Sequence, residues 1–383
     1  MAESARTIWS RKLEHFRRQE AITASPEQKF ELREKIAEVQ AKLRELDDED
    51  AGVPVPQAPA NPRRTPTTPK PDRTGSPFLV GQPIEHDEDL FGRQSQRDFL
   101  RTAVETGQSV QLLGERRMGK TSLLKWIGRH APTWQERPVV WVNAQGLAGR
   151  SPAALVRAVA EGLGRQEEAE KLRDDDNAAV VMKGLLPAVL LLDEAAVLAR
   201  DGHGFDADFL GVLREFCEER RLVWISASVV ELMQLFQDTG LASDFLNNAR
   251  EVQVGQLEDD AALALASRLG DAAAAALVRT QADGFAYGIQ WLGDRLWRRP
   301  GDPEAACDAF ADAMEKHFRR WWDGRGDADR ALLKRCVVEM ARAGLDGAGR
   351  RQALRLERLG FLVERAGSFV VPGAAWREFV RDV

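Results

Sequence analysis

The stretch Gly114-Glu115-Arg116-Arg117-Met118-Gly119-Lys120-Thr121 decides the fold. It is a complete G-x-x-x-x-G-K-T phosphate loop, and its flanks are those such a loop needs. Val110-Gln111-Leu112-Leu113 before it reads as a buried strand, and Ser122-Leu123-Leu124-Lys125-Trp126-Ile127 after it as a helix. Glycines let backbone N–H groups close around phosphate oxygens, and the helix N-terminus adds the positive end of its dipole. Lys120 is then expected to reach the β- and γ-phosphates of a nucleotide, and the Thr121 hydroxyl to ligate Mg2+. The other loop residues, Gly114, Glu115, Arg116, Arg117, Met118 and Gly119, and Ser122 behind them, are expected to surround the same nucleotide.

Strand patterns recur at 110–113, 139–142, 188–192, 222–225 and 252–254, with helical patterns at 95–106, 120–130, 151–163 and 207–220. This alternation predicts an open, mostly parallel five-stranded α/β sheet of the P-loop NTPase class over residues 81–255. Ligands of such sheets bind at the carboxyl ends of the strands. Ala188-Val189-Leu190-Leu191-Leu192-Asp193-Glu194 is a buried strand ending in two carboxylates, about seventy residues after the loop. There Asp193 is expected to hold Mg2+, usually through water, and Glu194 to polarise the attacking water. The strand Leu222-Val223-Trp224-Ile225 runs into Ser226-Ala227-Ser228. Either serine hydroxyl is placed to orient water or sense a γ-phosphate, although a hydroxyl at a strand end also serves as a simple cap.

At 383 residues the chain has room for two or three domains, and 44% hydrophobic with 30% charged residues describes a chain that can bury a real core. No apolar run approaches the ~18 residues of a membrane span, and Met1-Ala2-Glu3-Ser4 opens without a signal-peptide apolar region. Cys217, Cys307 and Cys336 lie far apart, which points to a reducing, cytoplasmic setting and no metal cluster. A net charge of −6 argues against a strongly basic, non-specific nucleic-acid binder while leaving a local basic face open.

Residues 1–48 read as a helical hairpin. Ser25-Pro26-Glu27-Gln28 is a capping box with proline at the first helical position, and Leu32, Ile36, Val39, Leu43 and Leu46 form a narrow seam. Trp9, Leu13 and Phe16 share a face of the first helix. The seam has nothing local to cover it but that helix or another chain, so the hairpin is expected to be an interaction module. Residues 49–80 hold Pro54, Pro56, Pro59, Pro62, Pro66, Pro69 and Pro71 and read as a tether. Residues 256–325 are Ala-rich and helical. Residues 326–383 give helix, helix and β-hairpin, the order of a winged helix.

Leu90-Phe91-Gly92-Arg93, then Q-L-L-G-E-R-R-M-G-K-T-S-L-L over 111–124, then L-L-L-D-E over 190–194, resemble the AAA+/STAND NTPases. The likeness is to the group with G-x-R-R-x-G-K-T-S-L-L loops, related to archaeal-type and origin-recognition ATPases, and it covers about residues 85–383. It implies ATP and Mg2+ as ligands, a helical lid and a winged helix after the core, and Gly92 and Arg93 bordering the nucleotide. It also implies that Arg221, beside Arg220, stands where related proteins carry a trans-acting arginine finger, and hence a homo-oligomer through the ATPase core. Helix-end arginines are also favoured by the dipole alone. The lid stretch 282–290 keeps Gly284 of a Gly-x-Pro motif but lacks its proline. Arg11-Lys12-Leu13-Glu14, the run 24–30 and Ile36-Ala37-Glu38 resemble small effector-associated helical modules of bacterial conflict systems, which implies a separate protein effector bound through 1–48.

Three functions are in contention. The first is a STAND-like signalling ATPase that recruits an effector. The second is a DNA-directed AAA+ ATPase of the origin-binding or transposition-helper kind, its recognition helix carrying Arg350, Arg351, Arg355 and Arg358 against Glu357, Glu364 and Glu378. The third is a scaffold whose nucleotide is structural.

Overall fold

The computed structural model describes residues 75–147, 150–199, 204–238 and 246–383. The hairpin at 1–48 and the tether as far as residue 74 lie outside the described residues. All described residues belong to one compact unit, Asp72–Val383.

Five strands form an all-parallel sheet: β1 (Val110–Leu113), β2 (Val139–Asn143), β3 (Ala188–Asp193), β4 (Leu222–Ser228) and β5 (Arg250–Gln253), in the order β2-β3-β4-β1-β5. β3 and β4 are buried at every position, as helices on both faces require, and read in sequence as unbroken apolar runs. β2, at an edge, alternates. The connecting helices are α1 (Gln94–Thr106), α2 (Lys120–Trp134), α3 (Pro152–Gly162), α4 (Gln166–Glu170), α5 (Ala178–Leu185), α6 (Ala207–Glu218) and α7 (Leu232–Asp238). Local chemistry starts several of them. The Ser151 hydroxyl accepts from Ala154 N ahead of Pro152, and Asp206 accepts from Phe209 N. One sheet face is covered by α3, α5 and α6, with Val159, Met182 and Leu213 in its core. The other carries Leu124 and Ile127 of α2, and its core continues into the C-terminal half.

That half begins with four helices, α8 (Asp259–Ala266), α9 (Ala272–Ala282), α10 (Ala286–Arg298) and α11 (Pro303–Asp323). A C-terminal module follows: α12 (Asp327–Arg335), β6 (Met340–Ala341), α13 (Gly347–Arg358), β7 (Val363–Arg365), β8 (Ser368–Val370) and α14 (Ala374–Asp382), with an antiparallel sheet in the order β6-β8-β7. α12 stops at Arg335, and Met340 and Ala341 beyond it pair with β8. Trp321 of α11 is the hub of the module's core, with Phe285, Phe318, Trp376 and Phe361 ring centroids 4.8, 5.4, 5.5 and 5.8 Å away. Each such ring, fully buried, stabilises by roughly 1.5–3 kcal/mol.

Candidate functional site

β1 delivers the chain into the 114–121 loop and α2 carries it away. A Cβ on Gly114 would lie 2.3 Å from the carbonyl oxygen of Val254, so only glycine lets the loop leave beside the end of β5. Arg117 (φ 70°) and Gly119 (φ 99°) take left-handed backbone, which wraps the loop, and Met118 is anchored in the core at 1% exposure. Lys120 Nζ donates to the carbonyls of Gly114 (2.7 Å) and Glu115 (3.0 Å). Burial lowers the Lys120 pKa, opposed by the carboxylates of Glu194, Glu115 and Asp193. The Thr121 hydroxyl donates to the Asp193 carboxylate, and Asp193 Oδ1 also accepts from Glu194 N at 3.0 Å. Burial raises the Asp193 carboxyl above its ordinary value despite these bonds. Because all strands run the same way, the ends of β1 and β3 meet at one sheet edge although β4 separates them.

Over this edge opens a cavity of about 300 Å³. Its floor is residues 116–123 with Asp193 and Glu194, and one wall is Leu257, Leu265, Ala286, Tyr287 and Gln290 from the following helices. The opposite wall is an arm, residues 79–91, of which the sequence signalled only Leu90 and Phe91 ahead of Gly92 and Arg93. Phe78 and Leu79, read from composition as the tether's end, are fixed to α10. Leu79 N donates to Gln290 Oε1 at 2.8 Å, and Phe78 sits where a Cβ on Gly293 would be 2.4 Å from its ring. Further along, Ile84 N donates to Ser122 Oγ at 3.0 Å. Arg268 pairs with buried Asp89 at 2.7 Å while its guanidinium lies 4.7 Å from the Phe91 ring centroid. Arg117 lies 4.8 Å from the centroid of Tyr287, closing the cavity between loop and helix α10. Leu79, Ile84, Leu90, Phe91, Leu257 and Leu265 make one part of the lining apolar, and Arg116, Arg117, Lys120, Asp193 and Glu194 make the other charged. A base joined to a polyphosphate divides in the same way. Thr121 and Asp193 already share a hydrogen bond beside Lys120, and hard oxygen donors so placed fit Mg2+.

Of the residues expected from sequence, Arg93, Arg116, Arg117, Met118, Gly119, Lys120, Thr121, Ser122, Asp193 and Glu194 all line this cavity. Two of them are committed elsewhere. The Ser122 hydroxyl holds the arm, and Arg93, 3% exposed, spends its guanidinium on the carbonyls of Gly255 (2.5 Å), Gln256 (2.9 Å) and Met118 (3.1 Å). Burial pulls Arg93 down to about 10, with Glu258 opposing. Six expected residues do not line it. A Cβ on Gly92 (φ 62°) would be 2.3 Å from Glu258 Oε2 and 2.7 Å from Ala261 Cβ, so Gly92 seats α8 instead of bordering a ligand. Gly114 closes on Val254, and Glu115 turns its buried carboxylate to Arg325 at 2.7 Å. β4 runs on to Ser228, so Ser226 lies inside the sheet, in register with Gln111 and Leu192, its buried hydroxyl without a partner. The Ser228 hydroxyl donates to Val230 O in the turn. Arg221 immediately precedes β4, at the opposite edge of the sheet, on the order of 20 Å from the loop at about 3.3 Å per strand residue. There it approaches Glu219 at 3.4 Å and the Phe216 ring at 5.4 Å, so it takes no part in its own chain's site.

Residues 102–236 match a family model described as AAA domain. No curated protein matches the chain. Among solved structures it is similar to the Walker-type ATPase of Pyrococcus abyssi, at 17% identity and a TM-score of 0.52, over 78% of this chain and 98% of that one. It also matches the Aeropyrum pernix ORC2 protein, solved as ADPNP–ADP complexes, at 12% identity and a TM-score of 0.45, over 81% and 95% of the two chains. The fold likeness rests on the first of these. With the family match it identifies an AAA-type P-loop ATPase fold around the loop described above.

Proposed function

We propose that the chain is an ATP-dependent switch of the STAND type, binding ATP with Mg2+, hydrolysing it slowly and reporting its state to the C-terminal half. The cavity wall carries this reading. Ala286, Tyr287 and Gln290 face the same space as Lys120, Asp193 and Glu194, so a ligand there touches both halves of the molecule. A ligand that contacts two elements differently in its two forms biases their relative position. Lys120 would turn from the loop carbonyls to the β/γ-phosphates, and Thr121 with Asp193 would hold Mg2+. When bound, the ion neutralises charge on the phosphates. Glu194, at φ 51°, orients the attacking water. In this reading 256–325 is the lid, 326–383 a winged helix, and 1–48 the module that recruits a separate effector, in the cytoplasm of a bacterial defence system.

The test is ATP titration and turnover of the full chain beside Glu194→Gln. The variant keeps its affinity while kcat falls about 100-fold or more, the usual worth of a general base. A folded natural chain that binds no ATP sinks the reading, and one that binds without any turnover makes the nucleotide structural.

The DNA-directed reading keeps one supporting observation, the four solvent-facing arginines of α13, Arg350, Arg351, Arg355 and Arg358. Several cations of this module are committed internally. Arg355 pairs with Asp329, Arg350 Nε donates to Leu345 O, and Arg365 of the hairpin meets Asp283 at 2.8 Å. The signalling reading is therefore favoured. Duplex binding that weakens steeply with salt would reverse that preference.

A further inference from the structure

The phosphate loop has a second neighbour, on the side away from the nucleotide cavity. There Glu115 meets Arg325 Nη2 at 2.7 Å, with only 6% and 13% of the two side chains exposed. Arg325 stands in the turn between α11 and α12, 210 residues from Glu115 in sequence, and its guanidinium lies 4.7 Å from the centroid of Phe361, a fully buried ring of the C-terminal module. The pair therefore joins the loop to that module directly. Around it lies a cavity of about 500 Å³ lined by Glu231, Glu251, Arg320 and Arg358 among others. Glu231 sits close enough to Glu251 to hydrogen-bond it, and together with burial this raises the Glu251 carboxyl.

Glu115 is gripped twice. Arg325 holds its carboxylate, and Lys120 Nζ holds its carbonyl at 3.0 Å. Lys120 is also the cation that a phosphate recruits. One ammonium cannot satisfy the loop carbonyls and a polyphosphate in the same position. Whatever fixes Glu115 thus favours the arrangement in which Lys120 faces the loop.

We propose that Arg325 is a positioning residue for the phosphate loop, supplied by the turn that leads into the C-terminal module, and that its grip on Glu115 sets nucleotide binding and module docking against each other. The proposal rests on the nucleotide reading of the cavity. By linkage, nucleotide must weaken docking by the same factor by which docking weakens nucleotide binding.

The experiment uses the full chain with ATP and Mg2+. In the natural chain, hydrogen exchange of peptides covering 355–365 should accelerate when ATP is added. In Arg325→Gln those peptides should exchange fast with or without ATP, and ATP should bind about tenfold more tightly, within the usual range for coupled sites. Arg325→Lys keeps the charge at the carboxylate and should bind within about twofold of the natural chain. Equal or weaker affinity in a folded Arg325→Gln overturns the proposal, as does a lysine variant that matches the glutamine one. If Arg325→Gln does not fold, the natural chain decides alone, since exchange over 355–365 that ignores bound ATP also overturns it. A natural chain that binds no ATP refutes the nucleotide reading itself, a result separable from all of these.

Discussion

The two cavities flanking the phosphate loop differ in what their charged residues do. The nucleotide side is smaller, about 300 Å³ against about 500 Å³, and half apolar, closed by an arm and by Tyr287. The far side has apolar lining too, from Leu113, Val229, Val230 and Leu359, but its carboxylates and guanidiniums include the ion pair between Glu115 and Arg325. Apolar walls with a few convergent charges describe a ligand site. A largely buried ion pair between elements describes a contact between them, where the pair must offset its own desolvation and little surplus remains. The same loop therefore offers one face for holding a ligand and another for holding a neighbour loosely.

The largest effect expected from breaking this contrast is on the near side. Lys120→Ala removes the cation facing the phosphates. Two charge-assisted hydrogen bonds of about 1.5–3 kcal/mol each imply at least a 100-fold loss of ATP affinity by calorimetry. The melting temperature should hardly move, since no buried apolar contact is lost. A folded variant with unchanged affinity would make the near side something other than a nucleotide site.

Acid should act on the two sides with opposite sign. His317 stands behind Tyr287, ring centroids 5.5 Å apart, and burial lowers it to about 4, helped by Lys316, Arg117 and Arg320. The unfolded chain takes up this proton below about 6.5 and the folded chain only near 4. This stability is whole above pH 6.5 and drains away as pH falls, about 2 kcal/mol of it by pH 5. The raised Glu251 works the other way. Its favourable contribution is present at low pH and fades as pH rises through its folded value. Melting curves from pH 4.5 to 8 should show a slope that His317→Phe flattens. An unchanged slope would mean that His317 is protonated in the fold.

The smallest effect belongs to Ser226. Its buried hydroxyl has no partner, so Ser226→Ala should leave turnover intact and add up to about 1 kcal/mol of stability. A turnover loss beyond about tenfold would return this residue to the site.

How much of this was legible in the sequence follows from which interactions are local. The loop, the strand ending at Asp193 and the runs behind β1, β3 and β4 announce themselves within a dozen residues, because phosphate binding and two-sided burial each dictate composition on the spot. Ser226 was misplaced because an apolar pattern marks where a strand runs but not where pairing stops, and β4 continues to Ser228. Glu115 was assigned to the nucleotide by its neighbours in the motif, while its carboxylate obeys Arg325, far away in the chain. The arm at 79–91 has no periodicity to read. It is held by Ser122, Arg268 and Gln290, each an ordinary surface-type residue until the fold brings it near.

Arg93 has a consequence for how the chain is made. Its acceptors lie on Met118, Gly255 and Gln256, and its own backbone N–H donates to Glu258 at 3.1 Å. Segments that emerge early from the ribosome thus depend on one that emerges some hundred and sixty residues later. Domains generally form in the order of their synthesis, but this one cannot close on schedule. Until residues 255 and 256 have been translated, a guanidinium destined for burial has only the Met118 carbonyl to donate to, and burying it poorly paired would cost several kcal/mol. The boundary between sheet and lid that composition draws at 255 is therefore no place to cut the chain. A fragment ending there keeps the charge and loses the Gln256 carbonyl and the Glu258 carboxylate that help hold it.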